Sequence, residues 1–164
     1  MSENFIERWE KILLNLRSAK AEEYEILTNI AIRSELYWGY DCDYIEEFKS
    51  VYKVTEEFIN NNSTFVIEKA ENIIGFYGVL VENNETYLEY LFVEPEYINK
   101  GYGKLLWNHM VENCDKNGIK GFSIVTSPQA KEFYIKMGAM QVGEVESLVK
   151  KGRKIPLLTY TLEK

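Results

Sequence analysis

Several residue types that carry metal or redox chemistry are scarce in this sequence. It has two cysteines, Cys42 and Cys114, which are far apart and have no CxxC spacing, and a single histidine, His109. Transition metals in proteins are held mainly by clusters of such residues, so we predict no metal site. No Ser-His-Asp or Cys-His set can be assembled either. The cysteines are expected to be free thiols in a reducing cytosol, although one disulfide stays open.

Long apolar runs and an excess of basic charge are also missing. The first ten residues are charged and contain no apolar signal-peptide core, and no segment approaches membrane-spanning length. We therefore expect a cytoplasmic protein with no membrane partner. There are 19 Lys and Arg against 26 Asp and Glu, for a net charge of -7, which argues against a nucleic-acid partner. This balance is compatible with a cationic substrate, or with solubility alone.

Aromatic residues, by contrast, are abundant, with 12 Tyr, 8 Phe and 3 Trp in 164 residues. They bury a large area each and suit the walls of a small-molecule pocket. They also permit an apolar subunit interface, so a homodimer is compatible with the sequence. The length suits one domain over residues 1–164, with residues 1–11 as an N-terminal leader.

Hydrophobic periodicity predicts the order β-α-α-α-β-β-β-α-β-α-β-β. In the first long helix, one face carries Tyr24, Leu27, Ile30, Ala31 and Ser34. The predicted strands are 12–17, 63–70, 72–82, 86–94, 121–126, 139–146 and 155–162, and the predicted helices are 20–37, 43–52, 55–61, 101–116 and 127–138. We predict an N-cap at Thr55, Pro128 in a first helical turn and a C-cap at Gly138. The fold class is α/β, a mixed and mostly antiparallel sheet of six or seven strands with helices on both faces.

Two glycines one residue apart, Gly101 and Gly103, stand where a turn meets a helical pattern. The amides from Asn99 to Lys104 would form a first helical turn, whose N–H groups lack intrahelical partners and can bind a phosphate. Glycine allows a phosphate to approach closely, and Lys100 and Lys104 add positive charge. A flexible helix start without a ligand remains the alternative. The segment is neither a Walker loop nor a three-glycine dinucleotide turn.

The sequence around these glycines resembles the Gcn5-related N-acetyltransferase (GNAT) superfamily. The matching segments are Leu91-Phe92-Val93-x-Pro95, Gly101-x-Gly103 and Ala130-x-x-Phe133-Tyr134-x-x-x-Gly138, in that order. The resemblance extends over residues 12–163. Together with "RSELYWGYD" and the closing "GAMQVGEVESLVKKGRKIPLL", it looks like a bacterial branch with no settled substrate.

This resemblance implies that acetyl-CoA is the cosubstrate. Its pyrophosphate would lie on residues 99–104, including Tyr102, and its pantetheine arm would follow the strand through Phe92 and Val93. That strand would diverge from the strand at 121–126, and an amide near Val93 would stabilise the oxyanion. Two positions depart from the family pattern. Ile98 replaces an Arg or Gln, which predicts weaker cofactor affinity, and Ser127 replaces an Asn in the expected cofactor site.

Two residues are candidates for proton transfer. The resemblance makes Tyr134 the general acid that protonates the leaving thiolate, with a core aromatic as the alternative. Glu89 is our candidate base, because the two-residue period of a strand places it with Leu91 and Val93. A solvent-facing or salt-bridged role for Glu89 is equally open. In some relatives a strand glutamate acts as base, but its position corresponds to Tyr87.

The acceptor side of the fold would be lined by the segment between the first two helices. Its side chains Tyr37, Trp38, Tyr40 and Asp41 combine aromatic walls with one carboxylate, which suits a small ammonium-bearing molecule. The alternative is that Trp38 and Tyr40 fasten the helix ends to the sheet. The segment "KKGRKIPLL" would border the acceptor pocket or a subunit contact.

These observations lead to one main functional hypothesis. The chain would be an N-acetyltransferase that moves an acetyl group from acetyl-CoA directly to an amine of a small molecule or peptide, in a ternary complex. The alternative is a sensor or structural module of the same fold that binds acyl-CoA without turnover.

Overall fold

The fold is one seven-stranded sheet between two layers of helices. The structure, a computed structural model, describes Phe5 and residues 13–162, so the leader predicted for residues 1–11 lies outside the described residues apart from Phe5. The strands are β1 Leu14–Ser18, β2 Ser63–Lys69, β3 Asn72–Glu82, β4 Glu85–Val93, β5 Gly121–Val125, β6 Met140–Glu146 and β7 Lys154–Thr161. The α-helices are α1 Tyr24–Leu36, α2 Cys42–Tyr52, α3 Glu56–Asn61, α4 Tyr102–Lys116 and α5 Lys131–Lys136. Short 3-10 helices span Ala21–Glu23 and Pro95–Tyr97.

The sheet has the strand order β1-β2-β3-β4-β5-β7-β6. All neighbouring strands are antiparallel except β4 and β5, which are parallel. This confirms the predicted mixed and mostly antiparallel α/β fold. Among the residues that the structure describes, none of the helices has the length and apolar character needed to cross a lipid bilayer.

Alternating side chains of the strands form two cores, one on each face of the sheet. Tyr77 packs with Trp107 and Met110 of α4 on one face, while the adjacent Phe76 packs with Leu27 and Ile30 of α1 on the other. All six side chains are almost fully buried, and each contributes about 1.5–3 kcal/mol to the stability of the fold by leaving water. The predicted apolar face of α1 is therefore confirmed.

The capping residues that we predicted agree with the helix ends, except at Pro128. The Thr55 hydroxyl accepts a hydrogen bond from the Phe58 amide at 3.0 Å, which confirms the predicted N-cap of α3. The prediction for Pro128 was wrong, because α5 begins only at Lys131 and Pro128 lies in the turn before it. Gly138 follows the helix with a φ of +106°, a conformation that favours glycine, as the predicted C-cap requires.

Strand β4 is irregular at the residue that we proposed as a base. Gly78 pairs with Tyr90 but Val79 pairs with Leu88, so Glu89 is the extra residue of a β-bulge. The bulge interrupts the two-residue period, and Leu88 packs in the core with Leu91 and Val93. The prediction that Glu89 shares a face with those two residues was therefore wrong.

The pairing of β4 with β5 is limited to one position, Tyr87 with Ser123. Beyond that pair the two parallel strands diverge towards their carboxyl ends, and the sheet opens between them. This is the divergence that the family resemblance implied. It creates a gap in the middle of the sheet, bordered by the end of β4, the end of β5 and the turns that follow them.

An ion-pair cluster joins the β1 edge of the sheet to the 3-10 helix that precedes α1. Arg17 of β1 contacts Glu23 of the 3-10 helix and Glu68 of β2, each with an N–O distance of 2.7 Å. Hydrogen bonds from Arg17 hold the pKa of both carboxyls below the ordinary range. We call Arg17, Glu23 and Glu68 the edge cluster.

Candidate active site

A cleft of about 790 Å³ occupies the gap between β4 and β5. Residues from β4, from the turn before α4, from the segment between β5 and α5, and from α1 and α2 form its walls. The predicted site residues that line it are Trp38, Glu89, Phe92, Val93, Asn99, Gly101, Gly103, Lys104, Ser127 and Tyr134. The structure thus brings predicted donor, proton-transfer and acceptor residues into one cavity.

One end of the cleft is the glycine turn before α4. Asn99 and Gly101 have φ angles of +63° and +91°, so the prediction that the first helical turn begins at Asn99 was wrong. The helix begins at Tyr102, and the first amide bonded back to the turn is that of Leu105, to the Gly101 carbonyl. The amides just before Leu105 form the open first turn of α4, beside the Lys104 side chain, and fit a phosphate group.

Two of the predicted cofactor residues, Lys100 and Tyr102, are not among the residues that line the cleft. The Tyr102 ring contacts the Tyr97 ring edge-to-face, with centroids 5.5 Å apart. The Lys100 ammonium lies 5.8 Å from the centroid of the Tyr97 ring, and that of Lys69 lies 5.3 Å from it. The turn therefore carries more positive charge than its sequence alone indicated. Ile98, which departs from the family pattern, lines the cleft.

Tyr134 of α5 also lines the cleft. Tyr134 is buried and its ring packs near Trp107 and Phe133. Burial, aided by the charge of Glu35, raises the pKa of the phenol above its usual value. The hydroxyl is therefore protonated at neutral pH, as a general acid requires. Ser127 lies in the turn ahead of this helix, and its Oγ accepts a hydrogen bond from the Ala130 amide at 3.3 Å.

Glu89 lines the cleft from the bulge in β4. Burial raises the pKa of its carboxyl, and the charge of Glu82 raises it further. The negative charge of Glu89 in turn raises the pKa of Tyr52, another lining residue. The carboxyl is thus partly withdrawn from water and close to the phenol of Tyr52.

The predicted acceptor segment is divided between two cavities. Trp38 lines the main cleft, whereas Tyr40 and Asp41 line an adjoining pocket of about 920 Å³. Asp41 is also the N-cap of α2, accepting a hydrogen bond from the Tyr44 amide at 2.8 Å. Tyr37 is 50% exposed and contacts the Trp38 ring edge-to-face.

Tyr40 connects three segments at the boundary of the two cavities. Its hydroxyl donates a hydrogen bond to Gln129 Oε1 at 3.0 Å and accepts one from Arg153 Nη2 at 3.0 Å. Arg153 lines both cavities, so the closing basic segment does border the cleft.

Sequence reasoning missed Glu35, which the structure places in the cleft wall. This side chain is only 9% exposed, and its Oε2 has no hydrogen-bond partner. A signal was present in the sequence. Glu35 follows Ala31 by four residues and Leu27 by eight, so it is a charged residue on the apolar face of α1.

The residues that sequence analysis set aside lie outside the cleft wall. His109 Nδ1 is 2.9 Å from the Tyr77 hydroxyl, and the ring contacts Phe65. Cys42 and Cys114 are free thiols, one exposed and the other buried. Within Phe5 and residues 13–162, no group of three or more His, Cys, Asp and Glu side chains could hold a metal ion.

Comparison with known proteins agrees with this geometry. The structure is similar to that of a PaiA N-acetyltransferase from Thermoplasma acidophilum in complex with coenzyme A, with a TM-score of 0.75 and 21% identity over 91% of this chain and 99% of that one. It is also similar to a GCN5-related N-acetyltransferase from Rhodopseudomonas palustris, with a TM-score of 0.76 and 18% identity over 90% and 95% of the two chains. A third similar structure is the ribosomal-protein-S18-alanine N-acetyltransferase of Escherichia coli, with a TM-score of 0.69 and 13% identity over 92% and 95%.

These identities are low, so the structural neighbours establish a shared fold alone. A search among curated proteins finds no match. The family assignment comes from the sequence model described as "Acetyltransferase (GNAT) domain", which matches residues 21–161, most of the 164-residue chain. The chain therefore belongs to the GNAT acetyltransferase family.

Proposed function

We propose that this protein is an acetyl-CoA-dependent N-acetyltransferase that acts on a primary amine of a small molecule or peptide. The observation that carries the proposal is the single cleft that joins the glycine turn, the gap between β4 and β5, and the buried phenol of Tyr134. Family membership supports it, as does the neighbour described in complex with coenzyme A. Acetyl-CoA would supply an activated acetyl thioester.

The donor would be held mainly by main-chain groups. The first-turn amides of α4, with Gly101 and Gly103 before and within that turn, fit a pyrophosphate, and Lys104 adds charge at the same end. The divergence of β4 from β5 leaves room beside Phe92 and Val93 for an extended arm. Ser127 borders that channel. Lys100 and Tyr102 would act from beside the turn, through charge and through the packing of Tyr97.

Tyr134 would donate its proton to the leaving sulfur. Its phenol is held in the protonated form by burial, and it faces the gap where the thioester would lie. A carboxylate of the cleft would remove the proton from the amine, since an ammonium cannot attack. Glu89 is the candidate that the sequence offers, and the structure gives it the burial and the raised pKa that suit a base.

Transfer would be direct, because both cysteines lie outside the cleft wall. The acceptor would enter past Trp38, with Tyr37, Tyr40 and Asp41 at or beyond the mouth of the cleft.

The free thiols fit the expected reducing cytoplasm. The homodimer remains a prediction.

A second candidate is a non-catalytic module that binds acyl-CoA. Ile98 favours it, since an apolar side chain stands in the cleft wall at the position where the family usually has Arg or Gln. The two candidates differ in turnover rather than in binding.

The test combines a binding measurement with an activity measurement. Acetyl-CoA, and not ATP, should raise the melting temperature of the protein, and coenzyme A should be released when primary amines are added. The panel should contain alkyl amines, polyamines, amino acids, aminoglycosides and peptides. Binding of acetyl-CoA without release by any of them would favour the non-catalytic module. Stabilisation by ATP alone would overturn both candidates.

A further inference from the structure

The cleft holds a second buried carboxyl, that of Glu35, in the last turn of α1. It is 9% exposed, and its Oε2 is buried without a hydrogen-bond partner. A buried carboxylate oxygen without a donor is unfavourable, and protein folds leave few of them. Because Glu35 also lines the cleft, a turn of its carboxyl would bring this oxygen to a donor bound there.

The surroundings of Glu35 do not neutralise it. Arg153 is the neighbouring cation, and its charge lowers the pKa of Glu35. However, the guanidinium donates to the Tyr40 hydroxyl and stacks over the Tyr40 and Tyr44 rings, 5.2 Å and 6.0 Å from their centroids. Among residues 13–162, Glu35 forms no ion pair within 4.0 Å. Glu35 is therefore a buried carboxyl with no directly paired cation in the described part of the protein.

The titratable groups that face Glu35 come from three segments of the chain. They are Tyr44 and Tyr52 of α2, Tyr134 of α5, and Arg153 from the segment before β7. Burial raises the pKa of Glu35 to about 7, against the opposing effects of Arg153 and a hydrogen bond from Tyr44. Glu35 in turn raises the pKa of Tyr134. The carboxyl therefore lies within electrostatic reach of the proposed general acid.

Aromatic rings line the same cleft as Glu35. Trp38, Tyr44, Phe48 and Tyr52 all line it. Aromatic faces attract cations and also cover alkyl chains. A buried anion among aromatic rings suits an alkylammonium group better than a neutral arylamine.

We propose that Glu35 binds the ammonium group of the acceptor through Oε2 and takes the proton that the amine must lose before it attacks. This inference rests on the proposed acetyltransfer. One N–H bond breaks and its proton moves to Glu35, after which the nitrogen lone pair forms the bond to the acetyl carbon. The carbon–sulfur bond breaks with its electron pair on sulfur, which takes the proton of Tyr134. The second N–H proton restores the phenol, and Glu35 releases its proton to water.

The acceptor class follows from this assignment. It is an aliphatic primary amine that arrives protonated at neutral pH, with its alkyl part against the rings of Trp38 and α2. In this assignment Glu35 replaces Glu89 as the base, and Glu89 remains a partly buried carboxyl of the same cleft.

The first experiment compares Glu35→Gln, Glu35→Asp and Glu89→Gln in the coenzyme A release assay, with the best alkyl amine of the panel, between pH 5.5 and 9. The wild-type kcat/KM should fall below about pH 7. Glu35→Gln should lower it by about 100-fold or more and remove that fall, and Glu35→Asp should restore part of the activity. Glu89→Gln decides between the two candidate bases, because the fall below about pH 7 should persist in this variant when Glu35 receives the proton. Unchanged activity in Glu35→Gln, or loss of the acid fall in Glu89→Gln instead, would overturn the proposal.

A second experiment measures binding without turnover, so that failure of the proposed function can be told from failure of this inference. With coenzyme A bound, n-butylammonium should raise the melting temperature of the wild type and of Glu89→Gln, while n-butanol should not. Glu35→Gln should lose this difference although acetyl-CoA still stabilises it. Equal stabilisation of wild type and Glu35→Gln by n-butylammonium would overturn the role of Glu35, whatever the activity assay shows.

Discussion

Two pairs of glutamates in this protein have opposite surroundings. In the edge cluster, Glu23 and Glu68 share Arg17, and hydrogen bonds from its guanidinium hold the pKa of both carboxyls low. In the cleft, burial raises the pKa of Glu35 and of Glu89. The two pairs therefore differ in what balances their charge.

The edge cluster is complete in itself, because its cation belongs to the same chain. It connects β1, β2 and the 3-10 helix, so its contribution should be to stability. Arg153 lies near Glu35 without forming an ion pair with it, and neither cleft carboxyl is paired as in the edge cluster, so their burial costs stability. In the proposed function, a ligand brings the balancing positive charge. Variants in the cleft should thus change activity, and variants in the edge cluster should change stability.

The largest effect should come from Tyr134→Phe. This change removes the proposed proton donor but keeps the ring that packs against Trp107 and Phe133. The value of kcat should fall by about 10²- to 10⁴-fold, the usual contribution of a general acid. Acetyl-CoA should still raise the melting temperature. A variant with wild-type kcat would remove Tyr134 from the mechanism.

Arg17→Ala should have the next largest effect, and on stability alone. It leaves two partly buried carboxyls without their cation, so the free energy of unfolding at pH 7 should fall by about 1–3 kcal/mol. Urea denaturation measures this fall in the free energy of unfolding. Arg33→Ala is the matched control, because Arg33 pairs with Glu94 but is half exposed, and such pairs contribute only about 0–1 kcal/mol. Equal losses of unfolding free energy in Arg17→Ala and Arg33→Ala would show that the edge cluster contributes no more than an ordinary surface ion pair.

The smallest effect should be the pH dependence of stability at Glu35. A carboxyl with a raised pKa binds more protons in the folded state than in the unfolded one, so stability falls as pH rises from about 4.5 towards 7. Glu35→Gln should cancel this fall and make the protein about 1–2 kcal/mol more stable than wild type at pH 8. The edge cluster has the opposite sign, because its stabilisation is lost as pH drops through the lowered pKa values. Urea denaturation at pH 5 and pH 8 would isolate the effect of Glu35, because both pH values lie above the lowered pKa values of Glu23 and Glu68. A Glu35→Gln variant that is less stable than wild type at pH 8 would contradict the comparison.

Much of the fold could be predicted because local pattern and tertiary packing agree. The alternating side chains of β3 divide into two cores, and the helical period of α1 identifies its buried face. The glycine turn and the Tyr134 segment could be located as well, because a short local sequence defines each of them.

The remaining features depend on contacts between distant segments. Nothing in the sequence of β4 marks Glu89 as an extra residue, since a bulge is defined by the pairing partner in β3. Glu35 was overlooked although it lies on the apolar face of α1, because only the packing of α2 and the last loop shows that it is buried. The start of α5 at Lys131 also differs from the prediction, because a turn at 128–130 precedes the helix.

The single pair between β4 and β5 gives the sheet a third edge, in its interior. The outer edges of the sheet are β1 and β6, whereas this one lies in the wall of the cleft. Its N–H and C=O groups can still pair with a slender chain that carries amides, as a missing strand would. Recognition of that kind depends on backbone geometry and not on side-chain identity. Sequences on such a fold can therefore diverge widely while the groove that accepts the donor keeps its form.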